Sequence, residues 1–335
     1  MWKMTNDSAG AARATATRTM RTAVIAAPRQ ISFEAIDLCQ PGPGEVRIKL
    51  EGCGVCASNL PAWEGRDWFH YPFTPGAPGH EGWGVIDALA DGTMGLDIGD
   101  RVAFLSNRGF AEYDVAAIDS VVKLPPSLDG KPFPGEPLGC AMNIYERSDI
   151  APGQVVAVVG IGFLGALLTQ LCSGKGAHVI AISRRSFALN LAQQFGAGHT
   201  IQMDDHRRII EEVLSLTNNR GCERVIECVG EQWPLDLAAE ITAERGKLII
   251  AGYHQDGLRT VNMQLWNWRG LDVINAHERD PKNYIKGMRA AVDAVINGEI
   301  DPSPLYTTFK FDQITNAFDA LQSRPDGFVK ALITI

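Results

Sequence analysis

The spacing of apolar residues changes twice along the chain. From Arg21 to about residue 122, short apolar or alternating stretches recur between Gly and Pro: RTAVIAAPRQISFEA (21–35), EVRIKLE (45–51), Val85–Ala88, Arg101–Leu105 and Phe110–Val115. The turn signals between them, including PGPG at 41–44, predict short strands in an irregular, mostly antiparallel β domain. At Gln154 the pattern becomes a continuous apolar run, QVVAVV, as expected of a strand buried on both faces. A Gly-rich turn and a helical stretch over Phe163–Lys175 come next. Strand-like runs follow at His178–Ser183, Thr200–Met203, Arg224–Val229, Lys247–Ala251 and Leu271–Asn275, with helical segments between most of them. Strands alternating with helices predict a parallel, doubly wound sheet. A helix near Pro281–Asn297, a strand at Leu305–Phe309, a helix near Asp312–Leu321 and a final strand at Val329–Ile335 are read as closing the β domain.

Length fits this division, since 335 residues exceed one ordinary core and point to two domains. A composition 45% hydrophobic and 21% charged is that of a globular protein, and the pattern of elements makes its fold class α/β. The net charge of −8, with no basic run, argues against a nucleic-acid partner. No uninterrupted apolar stretch reaches the roughly 18 residues that would span a membrane. The seven cysteines are odd in number and scattered, which argues against a disulfide framework and for a reducing, cytoplasmic setting. They include no cluster of four, so no structural zinc lobe is expected. Residues 1–20, rich in Ala, Thr and Arg, are expected to be a disordered extension, with an organellar transit peptide as the alternative.

Gly160-Ile161-Gly162-Phe163-Leu164-Gly165 follows the buried run and opens a helix, the setting that G-x-G-x-x-G requires. There Gly160 permits the tight turn, Gly162 lets backbone approach a pyrophosphate, and Gly165 allows close helix–strand packing. The helix N-terminus supplies unpaired N–H groups and partial positive charge. At the end of the next strand, where an NAD site usually places Asp or Glu, the chain has Ser183-Arg184-Arg185. A hydroxyl and guanidinium groups accept a 2′-phosphate that a carboxylate would repel. NADP(H) is therefore favoured, with NAD(H) as the alternative.

Three separate segments carry groups suited to a metal: GCGVCAS at 52–58, PGHEG at 78–82 and GEPLGC at 135–140. One Cys, one His and one Glu would suit a catalytic zinc with an open position. Cys53 and Cys56 also form C-x-x-C, but the thioredoxin-like setting of a redox pair is lacking.

These segments, G-D-R-V at Gly99–Val102, E-P-L before the first helix and the glycine loop occur in one order. In that order they resemble the medium-chain dehydrogenase/reductase family of zinc alcohol, sorbitol, glucose and threonine dehydrogenases. The likeness runs from residue 21 to the end. It implies a GroES-like catalytic domain over 21–147 and 282–335, and a Rossmann domain over 148–281. It also implies one catalytic zinc, held by Cys56 and His80, with Glu81 adjacent to the metal or its water. The third ligand is Glu136 by an ungapped count back from Pro152-Gly153, with Cys140, one helical turn on, as the alternative. Ser58 matches the residue that takes the substrate's proton, and Lys330 matches a basic residue for the pyrophosphate. Two positions depart from the family: Asn59 replaces an Asp, and Pro61 stands where a proton-relay His would be.

The activity so implied is hydride transfer between the nicotinamide and a small secondary alcohol or polyol, or the matching ketone, in a homodimer or homotetramer. A non-catalytic NADPH-binding regulatory protein and a zinc-independent quinone or enoyl reductase are the alternatives. Trp63, Trp68, Phe69 and Tyr71, between two ligand segments, are candidates for the pocket wall or for core.

Overall fold

A computed structural model describes residues 18–92 and 94–335. The expected extension therefore lies mostly outside the described residues. Its last part does not: strand β1 (Thr19–Ala27) already begins at Thr19, and Met20 is buried.

The stretch 21–35 divides in two. β1 turns at Pro28-Arg29, where Arg29 adopts φ 59°, and returns as β2 (Gln30–Asp37), antiparallel to it. Proline and a left-handed residue make a turn that the apolar pattern alone does not display. Next come β3 (Glu45–Val55), the short helix α1 (Leu60–Glu64), β4 (Glu81–Leu89), β5 (Arg101–Phe104), β6 (Tyr113–Ala117) and β7 (Val121–Lys123). Helix α2 (Gly135–Ser148) leads out of this region. Pro137 lies in its first turn, where a missing N–H costs no helical hydrogen bond.

The Rossmann region alternates β8 (Val155–Val159), α3 (Phe163–Gly174), β9 (His178–Ser183), α4 (Ser186–Gln194), β10 (His199–Gln202), α5 (His206–Leu216), β11 (Cys222–Glu227), α6 (Gln232–Ile241), β12 (Thr242–Ile250), α7 (Met263–Arg269) and β13 (Asp272–Asn275). Its six strands are parallel in the order β10-β9-β8-β11-β12-β13. That order reverses direction between β8 and β11, which opens a crevice at their C-terminal ends. β8 earns its central place by composition, since Val156 to Val159 are all buried.

The chain then recrosses to the first domain. Helix α8 (Pro281–Ile296) starts with Asp280 accepting from the N–H of Lys282 at 2.9 Å and with Pro281 in its first turn. It packs on α2 so closely that a Cβ on Gly287 would meet the Gly139 carbonyl at 2.5 Å. β14 (Tyr306–Lys310), α9 (Ile314–Ser323) and β15 (Lys330–Thr334) complete the chain. β15 runs antiparallel to β3 and joins a seven-stranded sheet whose main path is β14-β15-β3-β4-β5-β7. Leu138, Ile144 and Met288 belong to one buried cluster with Trp83 of the antiparallel sheet and Leu167 and Leu168 of α3. A single apolar core thus joins the two sheets and fixes the crevice between them.

Candidate active site

Cys56 ends the β3 segment and begins a one-turn 3-10 helix over Ala57–Asn59. His80 and Glu81 lie where the chain enters β4, whose Glu81 pairs in register with Gly54 of β3. Sheet pairing therefore brings two sequence-distant segments side by side. The Cys56 sulfur, a His80 ring nitrogen and a Glu81 carboxylate oxygen all lie within 4.8 Å of one another. Asn59 fastens the two loops. Its Oδ1 accepts from the Cys56 N–H at 3.1 Å, and its Nδ2 donates to the Pro78 carbonyl at 3.3 Å. An aspartate, the residue expected at this position, could make only the first of these bonds. His80 Nδ1 lies 2.9 Å from the same Pro78 carbonyl, so as the donor it leaves Nε2 available for a metal.

Glu81 is wholly buried. Its Oε1 accepts from the Lys330 ammonium at 2.6 Å, while Oε2 has no hydrogen-bond partner among the described residues. Oε2 occupies the space over Gly54, where a Cβ would come within 1.8 Å of it. The pocket is electronegative. Burial works to lower the His80 pKa, but the bond to Cys56 and the charges of Cys56, Glu136 and Glu81 reverse this and hold it at about 10. Burial likewise opposes the Lys330 charge, and Glu81 above all overcomes it and raises its pKa.

Glu136 sits in the first turn of α2 and faces His80 electrostatically, but lies outside the set that shares the 4.8 Å sphere. Burial raises its pKa, and Glu81 adds to this. Cys140, one turn on, donates its thiol to Glu136 Oε1 at 3.3 Å. Among the described residues, the side chain of Ser58, half-buried on the 3-10 turn, has no protein partner.

The glycine loop closes β8 onto α3. Gly160 adopts φ 96°, a conformation open to glycine, and a Cβ there would strike Val229 at 2.4 Å. A Cβ on Gly165 would meet the Gly160 carbonyl at 2.0 Å. Gly162 alone of the three faces open space, on the side from which a pyrophosphate would approach. Phe163 and Leu164 begin α3.

Lys330, expected to serve the pyrophosphate, is engaged by Glu81, and its ammonium also lies 5.3 Å from the Phe163 ring centroid. Tyr306, the strand partner of Lys330, also stacks on Phe163 at 6.0 Å, and its buried hydroxyl has no partner among the described residues. Lys330 thus touches both Glu81, beside Cys56 and His80, and Phe163 of the glycine loop. Nothing in the local sequence marks Tyr306.

At the far end of the crevice, Ser183 is buried, and its hydroxyl lies 3.4 Å from the backbone N–H of Arg185. Arg185 donates to the Phe328 carbonyl at 2.7 Å, whereas Arg184 is exposed. Among the aromatic candidates, Trp63 is core, stacked on Phe318 at 4.9 Å, and Trp68 is exposed. His254 meets the buried Glu227 at 3.0 Å, and the exposed His277 packs on Tyr253.

Two family models match in chain order: the alcohol dehydrogenase GroES-like domain over 42–126 and the zinc-binding dehydrogenase over 164–294. The sorbitol dehydrogenase of Halalkalibacterium halodurans is 26% identical over 328 residues, covering 88% of this chain and 92% of that protein. An Escherichia coli CFT073 structure described as a short chain alcohol dehydrogenase complexed with NADH superposes with a TM-score of 0.83 at 22% identity, covering 95% of this chain and 99% of the other. The mycobacterial Rv1454c structure complexed with NADPH gives a TM-score of 0.82 at 21% identity, over 94% and 100% of the two chains. The chain belongs to the medium-chain dehydrogenase/reductase family of zinc-binding alcohol dehydrogenases. It is an oxidoreductase with a GroES-like domain and a Rossmann domain. Among the described residues no helix is long and apolar enough to cross a membrane.

Proposed function

We propose that the chain is a zinc-dependent dehydrogenase that interconverts a small secondary alcohol or polyol and the matching ketone, with NADP(H) favoured. The observation that carries this reading is the convergence of Cys56, His80 and Glu81 within 4.8 Å, next to the nucleotide loop. The residues fit a zinc ion. They offer a thiol, an imidazole and carboxylates, the donor set zinc takes, and one buried carboxylate oxygen, Glu81 Oε2, has no partner among the described residues.

Cys56, His80 and Glu136 would hold the ion, with Cys140 as the donor that orients Glu136 and as the alternative third ligand. Glu81 would lie beside the metal, steadied by Lys330. When bound, the metal supplies Lewis acidity to the substrate oxygen, and the nicotinamide supplies the hydride chemistry. Ser58, free of partners among the described residues, receives the substrate's proton. Gly160, Gly162, Phe163, Leu164 and Gly165 cradle the pyrophosphate, and the Ser183–Arg185 turn faces the adenosine ribose. The similarity to a sorbitol dehydrogenase supports the polyol class.

A second copy of this chain would pair along β13, the edge of the parallel sheet, giving a homodimer that could pair again to a homotetramer. α7 beside it buries no residue, and Trp268 is 85% exposed. Cysteines that are all free fit a cytoplasmic setting.

The test is metal analysis of the purified protein together with a panel of polyols, sugars and secondary alcohols, read by nicotinamide absorbance with NADP⁺ and with NAD⁺. About one zinc per chain is expected, and turnover lost in Cys56→Ala. Full turnover after exhaustive chelation would identify a zinc-independent reductase. A metal-free protein that binds NADPH without turnover would identify a regulatory one.

A further inference from the structure

Two guanidinium groups at one end of the crevice form no ion pair among the described residues. Arg184 stands at the C-terminal end of β9, the second strand of the Rossmann order, where the adenosine ribose is received. Arg324 belongs to the other domain. It caps the C-terminus of α9 in the left-handed conformation, φ 46°, a place usually given to glycine. Among the described residues, neither guanidinium makes a hydrogen bond or an ion pair.

What brings the two together is Arg185, whose Nη1 donates to the Phe328 carbonyl at 2.7 Å. This bond ties the β9–α4 turn to the loop between α9 and β15. Arg324 is open to solvent, yet protein flanks it closely enough that burial, and next the charge of Arg184, depress its pKa. Arg185 is depressed in turn by burial and by Arg324. The acids that offset them are Glu231 for Arg324 and Asp326 for Arg185, and neither forms an ion pair with its arginine. Like charges held in a partly desolvated cleft repel, and an anion placed between them relieves the repulsion.

We propose that Arg324 and Arg184 form a two-armed clamp for the 2′-phosphate of NADP(H), one arm from each domain, with Arg185 acting as the tie that sets their spacing. This assignment rests on the NADP(H) reading above. It makes Arg324, which lies far from the Rossmann segment, a determinant of cofactor choice, and it divides the neighbouring arginines between two jobs.

The test is calorimetric titration of the full-length protein with 2′,5′-ADP and with 5′-AMP, which differ by the 2′-phosphate. The wild type is expected to bind 2′,5′-ADP at least about tenfold more tightly. Arg324→Gly keeps the left-handed backbone and removes the guanidinium. It is expected to lose about tenfold or more of the 2′,5′-ADP affinity while 5′-AMP binding, which also reports the fold, stays within about twofold. Arg324→Lys should recover part of the loss, since it returns the charge without the fork. If the wild type prefers 2′,5′-ADP and Arg324→Gly preserves that preference, the clamp is wrong and the NADP(H) reading stands. If the wild type does not distinguish the two ligands, the NADP(H) reading itself fails, and the clamp with it.

Discussion

The Lys330 ammonium lies 2.6 Å from Oε1 of Glu81, and both side chains are shut off from solvent. Removing one member of such a pair leaves a buried, uncompensated charge. Lys330→Met is therefore expected to lower stability by about 3–5 kcal/mol in urea unfolding. Adding Glu81→Gln to that variant should restore part of the loss, because the residual charge is then gone. Equal stability of the single and double variants would show that the pair is not coupled.

Gly54 gives Glu81 its place. A methyl group there would sit 1.8 Å from Oε2, and the opposing strands leave the backbone little freedom to yield. Gly54→Ala should swing the carboxylate away and reduce kcat/KM at least about tenfold, on the scale set by a misplaced group at a reacting centre. Steady-state kinetics with the best substrate of the panel would measure this, with circular dichroism as the check on folding.

Asn59→Asp keeps the bond to the Cys56 N–H and replaces the donor facing Pro78 with an acceptor. The two ligand loops then lose their fastening. Metal affinity, read by competition with a chromophoric chelator, is expected to fall by about tenfold. Unchanged affinity would show that the Pro78 carbonyl is served well enough by His80.

Glu136 and Cys140 can be separated in the same assay. Cys140→Ser retains a donor to Glu136 Oε1 and should keep its metal within a few-fold, whereas Glu136→Gln should lose it by about 10–100-fold. The opposite ranking would make Cys140 the third ligand.

Sedimentation equilibrium should give a mass of at least two chains. A proline at Val273 removes a backbone donor from the edge strand β13 and should shift the protein toward the monomer. A wild-type monomer would overturn the pairing along β13.

Most of the architecture was legible because it depends on local pattern. Val155–Val159 is apolar throughout, and a strand buried on both faces has to be. The glycine loop announces itself because Gly160 needs positive φ and Gly165 needs contact with backbone. The hairpin at Pro28-Arg29 was hidden inside 21–35, since its left-handed residue is an arginine rather than a glycine. The site was legible as far as motifs reach, which brought out Cys56, His80 and Glu81. What it lacked was supplied by strand pairing. β15 carries Lys330 to Glu81, β14 carries Tyr306 to Phe163, and α9 carries Arg324 toward the β9 turn. None of these residues has a neighbour in sequence that signals its partner. For Trp63 the sequence left pocket wall and core open, and packing on Phe318 places it in the core.

The antiparallel sheet receives β15 only after the chain has left it, built the whole Rossmann sheet and returned. During synthesis, β3 and β4 can pair and bury Glu81 well before Lys330 leaves the ribosome. Until then the carboxylate has no cation, and the flank of β3 stays open as a sticky edge. A nascent chain stalled before Phe328 would thus hold the six parallel strands while Glu81 still lacks Lys330 and the β9–α4 turn still lacks its bond to Phe328.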